Sequence, residues 1–227
     1  MNARFERVLA TVAVIAVAAF VAGAVVTIAA PSVEAKFKVT TPSIFGSKEG
    51  RSSKMKKFKK WLGVMGRYTK EKPSELNKCR LTPTNPCYVT KWRIYLNQIA
   101  NQPKRKQLDL VNAYLNRYLY KIDPSIYSKK DYWTTPKQFF YRSGDCEDFA
   151  ISKYASLVNL GFPKKDMRLV VLQDLNLKVG HAVLMVKLDG KSFILDNQIK
   201  QVVDSKRIRH YKPIYSINEF NWWLHRS

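Results

Sequence analysis

The apolar residues of this chain change their spacing at one point, and that change constrains the class of fold. Up to Gly161-Phe162-Pro163, apolar side chains recur at helical spacing, as over residues 92–99. Beyond it, three short apolar runs lie between residues 168 and 196, and the Asp189-Gly190 pair between the last two is typical of a two-residue hairpin. Helices followed by a small antiparallel sheet predict an α+β domain.

The first 35 residues are expected to form a separate unit. Residues 8–30 are a 23-residue run without a charge or a strongly polar side chain. The small residues Val33 and Ala35 fit a signal-peptidase site, but a run of this length can also span a bilayer. A cleaved secretory signal and an uncleaved N-terminal anchor both remain open, and both predict that the rest of the chain is exported from the cytoplasm.

The chain is strongly basic, with 40 Lys and Arg against 17 Asp and Glu and a formal net charge of +23. This balance predicts an acidic partner. Nucleic acid is not expected, because the protein is exported and carries no reading motif. We interpret residues 36–72 as a basic linker and amphipathic helix, and residues 73–227 as the main domain. The helix, over 54–68, either packs on the domain or contacts an anionic envelope surface.

The three cysteines are not equivalent. Cys79 and Cys87 flank a turn-rich segment with two prolines, which lets their Cβ atoms approach. In an oxidising compartment this predicts a disulfide, the alternative being two unrelated thiols. Cys146 then remains as a single thiol that needs its own explanation.

Cys146 lies at the start of a predicted helix, where the helix N-terminus favours a thiolate. A cysteine nucleophile also needs a base, and His181 opens a predicted strand. Asp196 ends the strand paired with it: position 181 falls opposite about 198, so Asp196 is diagonal to His181 on the same face. The sequence therefore predicts a nucleophile, a base and an orienting acid.

Asp145, Glu147 and Asp148 surround the cysteine. Close carboxylates raise the pKa of a thiol and oppose its activation. Two interpretations remain open at this point. The acids are hard oxygen ligands for a divalent cation such as calcium, or they favour the helix N-terminus electrostatically and point away from the sulfur.

Four segments carry a resemblance to a known family. They are Asp-Tyr-Trp-x-Thr-Pro (131–136), Gly-Asp-Cys-Glu-Asp-Phe-Ala-Ile-x-Lys-Tyr (144–154), Gly-His-Ala-Val-Leu (180–184) and Leu-Asp-Asn (195–197). Together they resemble the bacterial transglutaminase-like cysteine proteinases. The resemblance implies a papain/transglutaminase-like core in which Cys146, His181 and Asp196 form a triad.

The resemblance also implies a function. It points to a periplasmic, calcium-dependent protease that cuts a large surface adhesin and releases biofilm cells, restrained by an inner-membrane receptor. Asp145 and Glu147 are then implied calcium ligands, with Asp148 as a further candidate. Two alternatives stay open: a transglutaminase-type acyltransferase, whose acceptor is an amine rather than water, and a non-catalytic module that binds envelope polymers through residues 54–68.

Overall fold

The computed structural model describes residues 43–75, 79–84 and 86–226. The predictions for residues 1–35 and for the start of the basic segment, 36–42, lie outside the described residues. Of the helices within the described residues, none has the length and apolar character needed to cross a membrane.

The described part of the chain combines helices with one antiparallel sheet. Its α-helices are α1 (Lys59–Glu75), α2 (Tyr88–Ile99), α3 (Lys104–Leu115), α4 (Asp123–Tyr127), α5 (Pro136–Arg142) and α6 (Cys146–Asn159). Its strands are β1 (Lys48–Ser52), β2 (Met167–Asp174), β3 (Val179–Leu188), β4 (Lys191–Leu195), β5 (Val203–Asp204), β6 (Tyr211–Ile217) and β7 (Trp222–Arg226). The strand order is β1-β7-β6-β2-β3-β4-β5. The α+β prediction is confirmed.

Helix α6 lies at the centre of the core. Its side chains from Asp148 to Leu157 are all buried. Alternate residues of β3 serve two apolar clusters: Ala182 and Leu184 pack with the helices, whereas Val183 and Met185 pack with β2 on the opposite face of the sheet. This burial on both faces fixes the register of β3 against its neighbours, and therefore the position of any functional side chain at its start.

The predicted hairpin is present. Asp189 and Gly190 both adopt positive φ angles, +49° and +72°, as a type I′ turn requires. The two strands pair with Leu184 opposite Leu195 and Met185 opposite Ile194. Position 181 therefore corresponds to position 198, the register expected from the sequence.

The basic segment differs from the expected linker. Residues 48–52 form β1, which pairs antiparallel with β7 at one edge of the sheet. Glu49 is buried there and accepts a hydrogen bond from Arg168 over 2.7 Å. The five residues of β1 show no apolar alternation, because an ion pair replaces the usual apolar contact, and so the sequence pattern did not indicate a strand.

The basic helix also begins later in the chain than predicted. It begins at Lys59 rather than at residue 54. Its core-facing side chains are Trp61, Val64 and Tyr68, whereas Leu62 is 42% exposed. The ring of Trp61 packs edge-on against Tyr154 of α6 with centroids 5.6 Å apart. This helix therefore packs on the domain through its aromatic side chains, and Lys59, Lys60 and Lys70 are exposed.

Candidate active site

Cys146 is the first residue of α6, as the sequence predicted. Asp148, in the first turn of the helix, holds this end in place: its carboxylate accepts hydrogen bonds from the backbone N–H of Thr134 over 2.7 Å and of Asp145 over 3.3 Å. A Cβ atom on Gly144 would lie 2.6 Å from the Cβ of Asp148, so the backbone can approach only with glycine there. The position of the thiol thus depends on a tightly packed helix start.

His181 and Asp196 are in direct contact. Nε2 of His181 lies 2.9 Å from Oδ1 of Asp196, and both side chains are buried. An ionised carboxylate can only accept, so Nε2 carries the proton of this hydrogen bond. Burial alone would raise the pKa of Asp196, but His181, the hydroxyl of Tyr211 and the N–H of Gln198 outweigh it and lower that pKa. The acid is therefore held ionised beside the imidazole.

The sulfur of Cys146 lies at the start of β3. The backbone N–H of Ala182, the residue after His181, is close enough to the sulfur to lower the pKa of the thiol. The thiol in turn donates to Glu147 over 3.1 Å. The first turn of α6, which carries Cys146, thus lies next to the start of β3, and His181 contacts Asp196 there.

The surroundings of the Cys146 thiol raise its pKa, which opposes formation of the thiolate at the N-terminus of α6. Burial raises the pKa of Cys146 most, and the charges of Glu147 and Asp145 raise it further, whereas the N–H of Ala182 lowers it. Burial and the acidic neighbours together therefore favour the protonated thiol over the thiolate within this set of protein groups.

A cluster of carboxylates surrounds the cysteine, and it is larger than the sequence indicated. Asp123 at the start of α4 and Asp131 join it: one ligand atom each from Asp123, Asp131 and Glu147 lie within 4.8 Å of one another. The same spacing holds for Asp123, Asp145 and Asp148. Asp123 and Asp131 precede the cysteine by many residues, and only the tertiary fold brings them to it.

The cluster fits a hard divalent cation. Oδ1 of Asp145 and Oδ1 of Asp123 are buried and have no hydrogen-bond partner among the described residues. Burial, then Glu147, raises the pKa of Asp145 to about 9. Oxygen atoms of this kind are the ligands that calcium prefers. Asp148 is a weaker candidate, since both of its oxygens already accept backbone N–H groups.

The other two histidines of the chain, His210 and His225, lie outside β3, the strand that carries His181. His225 lies in β7, and its ring nitrogens are 2.7 Å from Oγ of Ser47 and 2.9 Å from Oγ of Ser216. Burial lowers the pKa of His225 to about 4. The ring of His210 packs edge-on against Tyr211.

The cysteines are paired as the sequence predicted. Cys79 and Cys87 form a disulfide with their Cα atoms 5.8 Å apart. Cys146 is the free thiol among the three cysteines of the chain. Any thiol chemistry of this protein in its oxidised form therefore belongs to Cys146.

Comparisons with known proteins agree with this geometry. The family model of the bacterial transglutaminase-like cysteine proteinases matches residues 71–225. Among solved structures, LapG of Legionella pneumophila is similar at 29% identity and a TM-score of 0.58, covering 71% of this chain and 87% of that one. Its calcium-bound and EGTA-treated forms match equally, with TM-scores of 0.58 and 0.59. A search of curated proteins gives no significant match.

Proposed function

The chain belongs to the bacterial transglutaminase-like cysteine proteinases, and we propose that Cys146, His181 and Asp196 carry its peptidase activity. The observation that carries the proposal is the buried 2.9 Å hydrogen bond between His181 and Asp196 beside the strand residue that contacts the Cys146 sulfur. It supports an oriented base on the strand that the first turn of α6 approaches, and nucleophilic catalysis by a cysteine requires such a base.

In the proposed reaction, Nε2 of His181 stays bound to Asp196, and Nδ1 exchanges the proton. The thiol of Cys146 gives its proton to Nδ1 while its sulfur attacks the peptide carbonyl. The backbone N–H of Cys146, at the positive end of α6, stabilises the oxyanion. Collapse of the intermediate breaks the C–N bond, His181 protonates the leaving amine, and water then hydrolyses the thioester.

The proposal includes calcium, held by Asp145 and Glu147 with Asp123 as a further ligand. Support comes from the unpartnered buried oxygens of the cluster and from the calcium-bound form of LapG. When bound, the cation supplies positive charge that offsets the carboxylates beside the thiol. Asp148 is assigned mainly to capping α6.

The substrate is a protein, because the family is one of peptidases. We propose a large surface adhesin cut in the periplasm, with an inner-membrane receptor restraining the enzyme, as the sequence resemblance implies. Residues 1–35 would direct export, either as a cleaved signal or with residues 8–30 as a membrane tether.

A second proposal concerns the basic surface before and along α1. Lys54, Lys56 and Lys57 are exposed around a cleft of about 610 Å³ that Met55 and Trp222 also line. Cationic and aromatic side chains together suit an anionic envelope surface. Replacement of Lys54 and Lys56 by Glu should weaken binding to anionic vesicles and leave cleavage intact, whereas equal binding by both proteins would contradict this proposal.

The decisive experiment compares surface and secreted proteins of cells that carry wild-type protein, Cys146→Ala or the exposed control Lys165→Ala. New protein N-termini should appear with wild type and the control and be missing with Cys146→Ala. A labelled amine in the same assay tests the acyltransferase alternative, since cross-linked product without cleavage would contradict the peptidase mechanism. Unchanged function of Cys146→Ala would instead favour the non-catalytic module.

A further inference from the structure

Tyr211 reaches the candidate site from a different strand. It is the first residue of β6 and pairs with Asp174 of β2, while His181 pairs with Leu172 on the other side of the same strand. Because Leu172 and Asp174 share a face of β2, Tyr211 and His181 lie on that same face, diagonally across the strand. Tyr211 is 4% exposed, so its hydroxyl needs an internal partner.

That partner is Asp196. The hydroxyl of Tyr211 donates a hydrogen bond to Oδ2 of Asp196 over 2.6 Å. The ring also stands edge-on to the imidazole of His181, with centroids 5.7 Å apart. Tyr211 therefore contacts the orienting acid and the base together.

The two oxygens of Asp196 have separate partners. Oδ1 lies 2.9 Å from Nε2 of His181 and accepts the N–H of Gln198 over 2.8 Å, while Oδ2 accepts the hydroxyl of Tyr211. The final torsion of an aspartate side chain is broad and weakly restrained on its own. A donor on each oxygen removes that freedom, and a buried Oδ2 without its donor would be unsatisfied.

Other polar groups near Asp196 do not replace this hydrogen bond. Lys153 of α6 acts on Asp196 only through its charge, since its buried Nζ has no hydrogen-bond partner among the described residues. Asn116, just after α3, donates to the backbone carbonyl of Asp196 and not to its carboxylate.

We propose that Tyr211 is a positioning residue for the peptidase reaction, which fixes the carboxylate of Asp196 so that Oδ1 meets His181 and holds the imidazole with its proton on Nε2. This inference rests on the proposed function. It nevertheless predicts a property of the resting protein, the tautomer of His181, that can be measured without any substrate.

The test is Tyr211→Phe, which keeps the ring against His181 and removes one oxygen. Nitrogen-15 NMR of the histidine rings of the full chain should show one tautomer of His181 in wild type and a mixture in the variant. Where a cleaved substrate is in hand, kcat should fall about tenfold while KM stays within about twofold, as for loss of an interaction that acts mainly in the transition state. Tyr95→Phe, which removes a hydroxyl that donates to the backbone carbonyl of Leu110 over 3.0 Å, is the matched control and should match wild type in both measurements.

A double-mutant cycle separates positioning from a general packing effect. If Tyr211 acts through Asp196, then Tyr211→Phe should cause no further change in the Asp196→Asn background. A single wild-type tautomer together with wild-type kcat in Tyr211→Phe, or fully additive losses in the cycle, would overturn the inference. Absence of cleavage by the wild type would contradict the proposed function instead, and the tautomer measurement would still decide the role of Tyr211.

Discussion

The thiol of Cys146 is hydrogen-bonded to the carboxylate of Glu147 over 3.1 Å. The proposed nucleophile is therefore in direct contact with a proposed calcium ligand. A cation bound by the carboxylate cluster would directly change the charge next to the sulfur. This contact gives a physical reason for the proposed activity to depend on a cation. It can be tested by changing a carboxylate of the cluster and by removing the cation.

Asp145→Asn should weaken calcium binding by about 100-fold or more, because even outer-shell partners of metal ligands are worth about 10–100-fold. Isothermal titration calorimetry measures the affinity, and cleavage is assayed with calcium and with EGTA. Asp166→Asn, at a carboxylate outside the cluster, is the control and should bind calcium as wild type does. Full cleavage by wild type in excess EGTA would refute the metal proposal.

Asp196→Asn should keep the fold and lower kcat by about 10³–10⁴-fold. An amide can donate to Nε2 of His181, which would then have to accept, so the wrong tautomer is favoured. The carboxylate of Asp204 lies outside this hydrogen-bond group, and Asp204→Asn is the control, measured in the same kinetic assay. Equal rates for the two variants would exclude Asp196 as the orienting acid.

Lys153→Met should change how stability depends on pH. Burial lowers the pKa of Lys153 from 10.5 to about 7 in the folded protein, with Asp196 only partly opposing it. Between these values the unfolded chain holds a proton that the folded protein has released, so the free energy of unfolding contributed by this group rises with pH. Below about pH 7 the folded protein bears the full cost of the buried charge, of the order of 5 kcal/mol.

The variant should therefore be more stable than wild type at pH 7, and the difference should shrink towards pH 10. Urea unfolding followed by tryptophan fluorescence at pH 7, 8 and 9 measures it. Lys165→Met, at an exposed lysine, should leave the pH dependence unchanged. A Lys153→Met protein that is less stable than wild type at pH 7 would show that Lys153 has a stabilising partner within the fold.

The sequence could predict the neighbours on the hairpin because a short turn fixes their register. Asp189-Gly190 determines which residues pair, and so Asp196 falls beside His181. The helix start at Cys146 was visible for a similar reason, since the helical spacing of the residues that follow defines it.

The rest of the site depends on contacts between distant segments. Asp123 and Asp131 join the cluster because the chain before them runs against the segment preceding Cys146, where the N–H of Lys121 donates to the carbonyl of Gly144 over 2.9 Å. Tyr211 of β6 reaches Asp196, just after β4, across β2 and β3, and no local sequence pattern indicates this contact. A polar contact between distant residues adds no periodic pattern to the sequence, whereas a buried apolar face of a helix or strand does.

Removal of the disulfide should lower stability without touching the active site. Cys79 and Cys87 close a loop of eight residues, and the loop-entropy relation gives about 2–3 kcal/mol for a loop of this size. The pair of changes Cys79→Ser and Cys87→Ala should lower the free energy of unfolding by that amount, measured in urea. Wild type in a reducing buffer is the control and should show the same loss, and a variant as stable as oxidised wild type would contradict a stabilising disulfide.

The ion pair of Glu49 and Arg168 provides a test of whether the basic segment belongs to the folded domain. Oε2 of Glu49 accepts from Arg168 over 2.7 Å, its Oε1 accepts the N–H of Ile44 over 3.0 Å, and the guanidinium lies 3.6 Å from the ring centroid of Trp223. Glu49→Gln leaves the arginine buried without its counter-charge, which should cost about 3–5 kcal/mol in urea unfolding. Glu49→Leu combined with Arg168→Met removes both charges and should recover much of that loss. Wild-type stability of Glu49→Gln would mean that β1 contributes nothing to the fold and that the segment behaves as the linker its sequence suggests.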